Sequence, residues 1–230
     1  MLIKLLRYTP EPELLCAAAA LTSTNSEGPS ELLNKMDSEK AGKVIRNVTG
    51  YGHISIIEHA SFTFGIEGVS RALTHQLVRH RLASYTQQSQ RYVSYKEKDS
   101  FVVPYSVKKN KEALSEFNKT MGDISASYQR LLNLGIPLED ARYVLPNASE
   151  TNIILTMNAR ELKNFFNTRC CERAQWEIRE VATEMLKQVK KVAPTIFGEA
   201  GPRCVELDYC PEGALMCGKM KEIRTKFRNL

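Results

Sequence analysis

The sequence has no apolar run that approaches the roughly 18 residues that a membrane-spanning helix needs. Its first ten residues carry Lys4 and Arg7 among leucines, without the apolar core and small-residue cleavage site of a signal peptide. It also has no internal repeat, no low-complexity block and no clear linker. We therefore expect a cytoplasmic protein that forms a single domain over residues 1–230 and has no membrane partner.

Cysteine is scarce, with six residues in 230, which is too few for a disulfide scaffold. Cys204, Cys210 and Cys217 lie in the tail, where they form no C-x-x-C pair and have no histidine nearby in sequence. A metal site that includes Glu58 is an alternative, but His and Glu close in sequence more often cap turns or form interior hydrogen bonds. We therefore predict reduced, ordinary thiols and no bound metal.

The overall composition is that of a soluble globular protein, with 43% hydrophobic and 25% charged residues. The formal net charge of +6 favours anionic partners. Nucleic acid, anionic lipid and phosphorylated small molecules all satisfy that preference, so charge alone selects none of them.

Hydrophobic periodicity predicts an α/β fold in which long amphipathic helices pack on a small sheet. Turn residues and apolar spacing mark the boundaries of the predicted elements. The predicted strands cover residues 1–10, 61–66 and 151–157, and the predicted helices cover residues 13–21, 38–48, 69–80, 106–134, 137–145 and the two sides of residue 169.

The segment around Arg169 is predicted to be a junction between two helices. Asn158 followed by Glu161 has the form of a capping box that starts the first helix. The helical period breaks at Arg169, so we expect backbone N–H groups of the second helix to be free for an anion. An interhelical ion pair is the alternative role for Arg169.

A polar stretch from residue 79 to residue 92 contains three arginines, one histidine, two serines and three glutamines. Arginine matches phosphate or carboxylate with a rigid fork of donors, and hydroxyl and amide groups complete such a cradle. A solvated basic loop is the alternative. The predicted helix over residues 69–80 would place the stretch at its C-terminal end, where the helix dipole favours positive charge.

This stretch resembles the signature of the flavin-dependent thymidylate synthases, which is R-H-R, two variable residues, Ser, four more residues and Ser-x-Arg. Every fixed position is filled in this sequence, by Arg79, His80, Arg81, Ser84, Ser89 and Arg91. Four further blocks follow the order of that family: G-H-x-S-x-x-E-H at 52–59, A-R-x-V-L-P at 141–146, N-A-R-x-L-x-N-F at 158–165 and R-x-x-x-x-A-Q-W-E-I at 169–178. The resemblance therefore covers a core of about residues 50–180.

The resemblance implies a homotetramer of α/β subunits that holds FAD at subunit junctions and methylates dUMP to dTMP. It also implies that 5,10-methylenetetrahydrofolate donates the carbon, that reduced FAD supplies the hydride and that NADPH re-reduces the flavin. The order of ligand binding, the path of the methylene group and the choice between NADPH and NADH stay open. Every one of these ligands is an anion, which agrees with the basic composition.

Residues carried over by position divide into two sets. Those implied to contact FAD are Ser55, Arg79, His80, Arg81, Gln87, Asn158, Ala159, Arg160 and Asn164. Those implied to bind the nucleotide are Gln76, Arg79, Gln87, Gln88, Ser89, Gln90, Arg91, Arg142 and Arg169. Many members of the family have Asn-Glu where this chain has Thr86-Gln87, which puts a carboxylate role at that position in doubt.

Arg169 is the predicted catalytic residue. Carbon 5 of uracil becomes electron-rich when a ring nitrogen loses its proton and a cation holds the resulting negative charge, which a guanidinium does without itself titrating. A thiolate of Cys170 or Cys171, activated by the adjacent positive charge, is an alternative attacking group. Ser89 has no base at an obvious sequence distance, so we expect it to orient the substrate and the cysteines to be structural.

A different class of function is also compatible with the basic stretch. A nucleic-acid-binding protein would use Arg71, Arg79, Arg81 and Arg91 on phosphates and Tyr85, Tyr92 and Tyr95 to stack bases. That alternative does not explain the distant blocks around Arg142, Asn158 and Arg169. We therefore predict a small-molecule enzyme without a nucleic-acid partner.

Overall fold

The computed structural model describes residues 1–94 and 101–230. One sheet contains β1 (Leu2–Tyr8), β2 (Ser61–Ser70), β3 (Ala83–Gln87) and β4 (Glu150–Asn158), in the order β1-β2-β4-β3. The helices are α1 (Pro12–Thr22), α2 (Pro29–Asn34), α3 (Ser38–Gly50), α4 (Arg71–Leu77), α5 (Tyr105–Lys108), α6 (Lys111–Asn133), α7 (Leu138–Ala141), α8 (Ala159–Arg169), α9 (Trp176–Val192), α10 (Pro194–Phe197), α11 (Arg203–Glu206) and α12 (Met220–Arg228). Short 3₁₀ turns cover Ile54–His59, Arg142–Val144 and Gly213–Leu215.

The predicted α/β class, with long helices and a small sheet, is confirmed. The three predicted strands correspond to β1, β2 and β4, and the predicted cap of α3 is present because the Asp37 carboxylate accepts from the Lys40 N–H at 2.8 Å. Of the residues that the structure describes, none lies in a helix long and apolar enough to cross a bilayer.

Strand β3 was not predicted, because it lies inside the polar stretch. Its side chains alternate between half-buried and exposed, but the half-buried positions include the polar Tyr85 and Gln87 rather than aliphatic residues. A strand with this composition carries no hydrophobic alternation for sequence analysis to detect.

Two helix predictions are wrong in their extent. The predicted helix over residues 106–134 is divided into α5 and α6, because the side chain of Asn110 accepts from the N–H groups of Glu112 and Ala113 and starts a new helix. The predicted helix over residues 69–80 is α4, which Ser70 caps and which ends at Leu77. The basic residues from Arg79 onward therefore lie beyond the helix rather than in its last turn.

The described chain divides into two compact units, each assembled from separate stretches of sequence. The second unit contains Ile3–Gly65, His80–Tyr85 and Leu155–Leu230. Its core includes a series of aromatic rings in which Phe165 contacts Phe166, Phe166 contacts Phe197 and Phe197 contacts Phe62, with centroid distances of 5.8, 6.0 and 5.4 Å. This aromatic core fixes the inner face of α8.

The first unit contains Met1–Leu2, Ile66–Arg79 and Thr86–Ile154. Helix α4 contributes the fully buried Leu73 and Leu77 to its core. Of the apolar stripe predicted along α6, only Met121 and Tyr128 are buried, and Phe117 is half-buried. The predicted stripe therefore lies on α6, but most of it is only partly covered within this chain.

Candidate functional site

Helix α8 begins and ends at predicted site residues. The Asn158 side chain accepts from the Glu161 N–H at 2.9 Å, which caps the first turn. Buried Leu162, Phe165 and Phe166 hold one face of the helix against the core. Arg169 is the last helical residue, so its position is fixed by ten preceding residues of regular helix.

Arg169 binds the imidazole of His80, a residue 89 positions earlier in the chain. Its Nε–H donates to His80 Nε2 at 3.1 Å. The other ring nitrogen, Nδ1, lies 3.2 Å from Glu161 Oε1. His80 and Glu161 are 7% and 5% exposed, so the predicted FAD contact of His80 has to use its ring carbons or main chain.

The surroundings of His80 favour its neutral form. Burial lowers the pKa of His80, and the charge of Arg169 lowers it further, while Glu161 acts in the opposite direction. Burial likewise lowers the pKa of Arg169 from its ordinary value. A neutral imidazole can accept from Arg169 at Nε2 only when its proton is on Nδ1, where Glu161 accepts it.

Three neighbours complete this cluster. Asn164 Nδ2 lies 3.3 Å from Glu161 Oε2, so a predicted FAD residue is attached to the same carboxylate. The Tyr85 hydroxyl donates to the His80 carbonyl at 2.8 Å, and burial raises the pKa of Tyr85. The Phe165 ring contacts the His80 ring edge to face, with centroids 5.0 Å apart. The cluster is therefore held by hydrogen bonds and packing on several sides.

The remaining predicted FAD residues of the second unit lie near the start of α8 or on exposed surface. Arg160 forms an ion pair with Glu58. Ala159 is buried and its N–H donates to the Ala60 carbonyl at 2.8 Å, so it is not exposed for a side-chain contact. Ser55 and Arg81 are exposed, and the Arg81 side chain makes no hydrogen bond or ion pair within residues 1–94 and 101–230.

In the first unit, Gln87 is held at the end of β3 by two threonines. Its Nε2 donates to Thr74 Oγ1 at 3.1 Å and to Thr151 Oγ1 at 3.3 Å.

The Gln88 N–H donates to the Asn152 carbonyl at 2.9 Å, and Arg71 donates to Gln90 Oε1 at 3.1 Å. The predicted nucleotide segment therefore has a defined backbone position.

Three arginines predicted to bind the nucleotide also lie in this unit. Arg91 Nε donates to the Glu139 carboxylate at 2.9 Å, and Arg142 Nε donates to the Glu139 carbonyl at 3.0 Å. Arg91 and Glu139 are about half exposed, and such surface pairs contribute little stability, so an incoming phosphate can compete with the carboxylate.

Arg79 is exposed. The Ser89 hydroxyl accepts from the Arg91 N–H at 3.1 Å, and Gln76 donates to the Ala72 carbonyl at 3.4 Å.

The structure corrects one expectation about the helix junction and supports another, the structural role of Cys170. Gln175 Oε1 accepts from the N–H groups of Glu177 and Ile178, so these donors of α9 are not free for an anion. Burial raises the pKa of the Cys170 thiol far above its ordinary value, which is the reverse of thiolate activation. Cys170 therefore lacks the properties of an attacking group.

Some supporting residues have no direct signal in the sequence. Glu161 was interpreted only as part of a capping box, whereas its carboxylate is bonded to His80 and Asn164. Thr74, Thr151 and Glu139 belong to no motif, and their roles depend on tertiary pairing. Across residues 1–94 and 101–230, no group of three or more His, Cys, Asp or Glu side chains is arranged to hold a metal ion.

The donor set fits an anionic cofactor such as FAD. Arg79 and Arg81 expose guanidinium groups with no partner in the described part of the chain, and Arg160 is engaged only in a half-exposed ion pair. Such groups can bind phosphate and break few existing hydrogen bonds or ion pairs. The rival nucleic-acid function is less well supported, because Tyr85 is half-buried and bonded to His80. Tyr95 lies outside the described residues.

Comparisons with known proteins identify the family of the chain. Residues 4–195 match the family described as Thymidylate synthase complementing protein. A flavin-dependent thymidylate synthase of Geobacter sulfurreducens is 53% identical, with 100% of this chain and 99% of the relative covered. The corresponding protein of Pyrococcus furiosus is 47% identical, with 99% and 97% covered.

A solved structure gives the same result at the level of the fold. The UMP/dUMP methylase PolB from Streptomyces cacaoi, bound with 5-Br dUMP, has a TM-score of 0.75 and 26% identity, with 85% of this chain and 92% of that chain covered. The signature residues, the full-length relatives and this fold agree, and the chain belongs to the flavin-dependent thymidylate synthase family.

Proposed function

We propose that the protein converts dUMP to dTMP, with 5,10-methylenetetrahydrofolate as carbon donor, FAD as cofactor and NADPH as reductant. The observation that carries this proposal is the fixed guanidinium of Arg169, held through its Nε–H by the buried His80. That guanidinium lies in a chain whose fold matches a UMP/dUMP methylase bound with 5-Br dUMP.

Arg169 has the properties needed to activate a uracil ring. Removal of the ring-nitrogen proton makes carbon 5 nucleophilic, and a fixed cation stabilises the negative charge that develops on the ring. Partial burial strengthens this interaction relative to water. The deep burial of Cys170 supports a reaction in which that thiol does not attack the substrate.

The residues proposed to hold FAD are Ser55, Arg79, Arg81, Gln87, Asn158, Arg160 and Asn164. When bound and reduced, FAD supplies the hydride that completes the methyl group. The arginines offer charge-assisted bonds to its phosphates. Asn158 and Asn164 offer amide donors and acceptors, in addition to the bonds each makes within α8.

The nucleotide would be bound by Gln76, Arg79, the segment from Gln87 to Arg91, Arg142 and Arg169. Arg91 donates to the Glu139 carboxylate and Arg142 donates to the Glu139 main-chain carbonyl, and this common neighbour supports a phosphate site that uses both guanidinium groups. Phosphate is a stronger and more highly charged acceptor than the half-exposed Glu139 carboxylate. We therefore assign these arginines to the phosphate of dUMP.

We also propose that the protein is a cytoplasmic homotetramer with active sites shared between subunits. The half-buried apolar stripe of α6 supports association, because it offers surface that this chain alone covers only in part.

The test is the release of tritium from dUMP labelled at carbon 5, measured with FAD, methylenetetrahydrofolate and NADPH. Replacement of the carbon 5 hydrogen by a methyl group must release the label, so we expect release that depends on the folate. A parallel absorbance spectrum should show flavin bands that are released on denaturation. No tritium release by flavin-loaded protein would contradict the proposal, and salt-sensitive oligonucleotide binding by colourless protein would support the nucleic-acid alternative.

A further inference from the structure

We infer that Glu161 and His80 are positioning residues that hold the guanidinium of Arg169 in one orientation for the reaction. This inference rests on the proposed function for the identity of the reaction, but its geometry stands on contacts within the second unit. Glu161 belongs to none of the ligand-binding sets, and its role follows from its place behind His80.

The polarity of the contacts allows only one arrangement of protons when His80 is neutral. Arg169 Nε–H can only donate, so His80 Nε2, at 3.1 Å, must accept. The proton of the neutral ring is then on Nδ1, 3.2 Å from Glu161 Oε1, which accepts it. The carboxylate therefore selects the tautomer that Arg169 requires, as an orienting carboxylate does for histidines in catalytic sites.

The orientation of Arg169 depends on this selection. A guanidinium is planar, so a hydrogen bond at Nε together with the side-chain stem fixes the direction of the fork. The opposite tautomer, with the proton on Nε2, would place two donors against each other and displace the guanidinium. A residue that changes the His80 tautomer thus changes the direction of the Arg169 guanidinium without contacting the substrate.

The His80 ring is itself restrained on several sides. Phe165 packs against it edge to face, and the Tyr85 hydroxyl holds the His80 carbonyl. The ionisable groups around the ring are Glu161 and Arg169 of α8 and Tyr85 of β3. Asn164 fixes the Glu161 carboxylate from its other oxygen at 3.3 Å. Because these contacts restrain rotation of the ring, the orientation of Arg169 depends on the tautomer of His80.

The arrangement has a direct consequence for pH dependence. A protonated His80 carries N–H donors on both ring nitrogens and loses its acceptor for Arg169. Burial and Arg169 keep the pKa of His80 below the ordinary 6.5 of histidine. The bond to Arg169 is therefore intact at neutral pH and is lost as the pH falls through the lowered pKa.

The first experiment measures kcat for tritium release against pH in the flavin-loaded wild-type enzyme and in Glu161→Gln and His80→Gln. We expect the wild-type kcat to fall on an acid limb below pH 6.5, and Glu161→Gln to lower kcat about tenfold, within the range for orienting residues. Since Glu161 raises the pKa of His80, its loss should move the acid limb to lower pH. His80→Gln should remove this limb, because an amide oxygen can accept from Arg169 without titrating.

The matched control is Glu206→Gln. The Glu206 carboxylate lies 3.3 Å from Lys163, which is on α8 as Glu161 is, so the variant also removes a carboxylate that contacts this helix. It should leave kcat and the acid limb as in the wild type. A Glu161→Gln profile equal to that of the control would overturn the inference. A uniform loss of kcat at every pH, with an unmoved acid limb, would assign Glu161 a merely structural role and would overturn it as well.

A second experiment needs no activity and so separates this inference from the proposed function. The chain has only four histidines, so solid-state nitrogen NMR of histidine-labelled holoenzyme can resolve their tautomers. We expect one neutral Nδ1–H imidazole, absent from His80→Gln. An Nε2–H tautomer at His80 would refute the positioning role, whereas an Nδ1–H signal in a protein without tritium release would refute the proposed function alone.

Discussion

Arg169 is the residue whose replacement should reduce catalysis most. Arg169→Lys keeps a positive charge but loses the Nε–H that donates to His80 and the planar fork that can face the ring. We expect kcat for tritium release to fall about 100-fold or more, the usual cost of losing one preorganised donor, while bound flavin stays unchanged.

The neighbouring Arg173→Lys is the control for that prediction. Arg173 is exposed and donates to the Leu215 carbonyl rather than to His80. Its variant should retain wild-type turnover. Near wild-type kcat in Arg169→Lys would mean that charge alone, without the fork, activates the substrate.

The six cysteines should differ in reactivity according to their burial. Burial raises the pKa of Cys16 to about 12 and raises that of Cys170 further, whereas Cys217 is exposed. Alkylation of the folded protein near pH 8, followed by peptide mass spectrometry, should modify Cys217 first and Cys16 and Cys170 last. Cys170→Ala should keep kcat within about twofold, because no thiolate at that position takes part.

A rapidly alkylated Cys170, or an inactive Cys170→Ala protein that folds and binds flavin, would reinstate the thiol as attacking group. The sequence alone could not decide this point. The neighbouring Arg169 favours a lowered thiol pKa, which is the basis of the alternative role, and the burial of the side chain in the second unit acts in the opposite direction.

Motif residues could be predicted from the sequence, but their individual contacts could not. The family signature predicts Arg79 and His80 as site residues, and the block at 169–178 predicts Arg169. The inward placement of His80, by contrast, depends on partners 81 and 89 positions away in the chain. Such pairing leaves no local pattern, so Glu161 was interpreted as half of a capping box.

At the scale of the element, α8 has a cap that also belongs to the predicted FAD site. Asn158→Ala should lower the free energy of unfolding by about 1 kcal/mol, which corresponds to a fall in Tm of about 2–4 °C for a chain of this size. Differential scanning calorimetry of the flavin-free protein measures this effect.

Asn158→Asp separates the two roles of this residue. Its carboxylate can still accept from the Glu161 N–H, so Tm should stay within about 1 °C of the wild type, while loss of the amide donor and gain of a negative charge should weaken FAD binding. The matched control is Asn110→Ala, which removes the cap of α6 and should lower Tm without changing FAD affinity. Equal FAD affinity in wild type and Asn158→Asp would show that Asn158 is a cap alone.

The elements themselves were predictable wherever hydrophobic spacing and capping residues agreed. Both agree for α3 and α8, and the predicted starts of these helices are confirmed. They conflict at Asn110, where apolar spacing continues through a residue that caps a new helix. Strand β3 has neither signal, because its half-buried positions are bonded through polar side chains.

At the scale of the whole molecule, the proposed sharing of active sites can be tested by mixing subunits. Arg142→Ala and Arg169→Ala remove nucleotide contacts from the first and second units respectively, and each variant should be nearly inactive. If one site takes these two arginines from different subunits, random exchange regenerates about one quarter of the sites. We therefore expect about 25% of wild-type tritium release after dissociation and reassembly.

Light scattering should give a particle of about four times the chain mass of 26.0 kDa. Each variant taken alone through the same procedure is the control for the mixing experiment. A tetramer with no recovered activity would mean that Arg142 and Arg169 of one site come from the same subunit. A monomer with full activity would exclude shared sites.

The anionic character of the ligands could be anticipated from the net charge of +6, but their identity could not. Charge attracts any phosphate, whereas the choice of a nucleotide requires a few directed groups, for which we propose Arg91 and Arg142. The single-domain organisation of residues 1–230 stays a prediction. Each compact unit is assembled from stretches that alternate along the chain.

That alternation limits how the gene can change. Neither compact unit is encoded by one continuous stretch of codons, since Ile66–Arg79 and Thr86–Ile154 are separated by His80–Tyr85 of the other unit. A recombination event with a related gene anywhere between codons 86 and 154 would give a first unit that combines sequence from two genes. Exchange of one continuous gene segment therefore cannot replace one compact unit as a whole and leave the other unchanged.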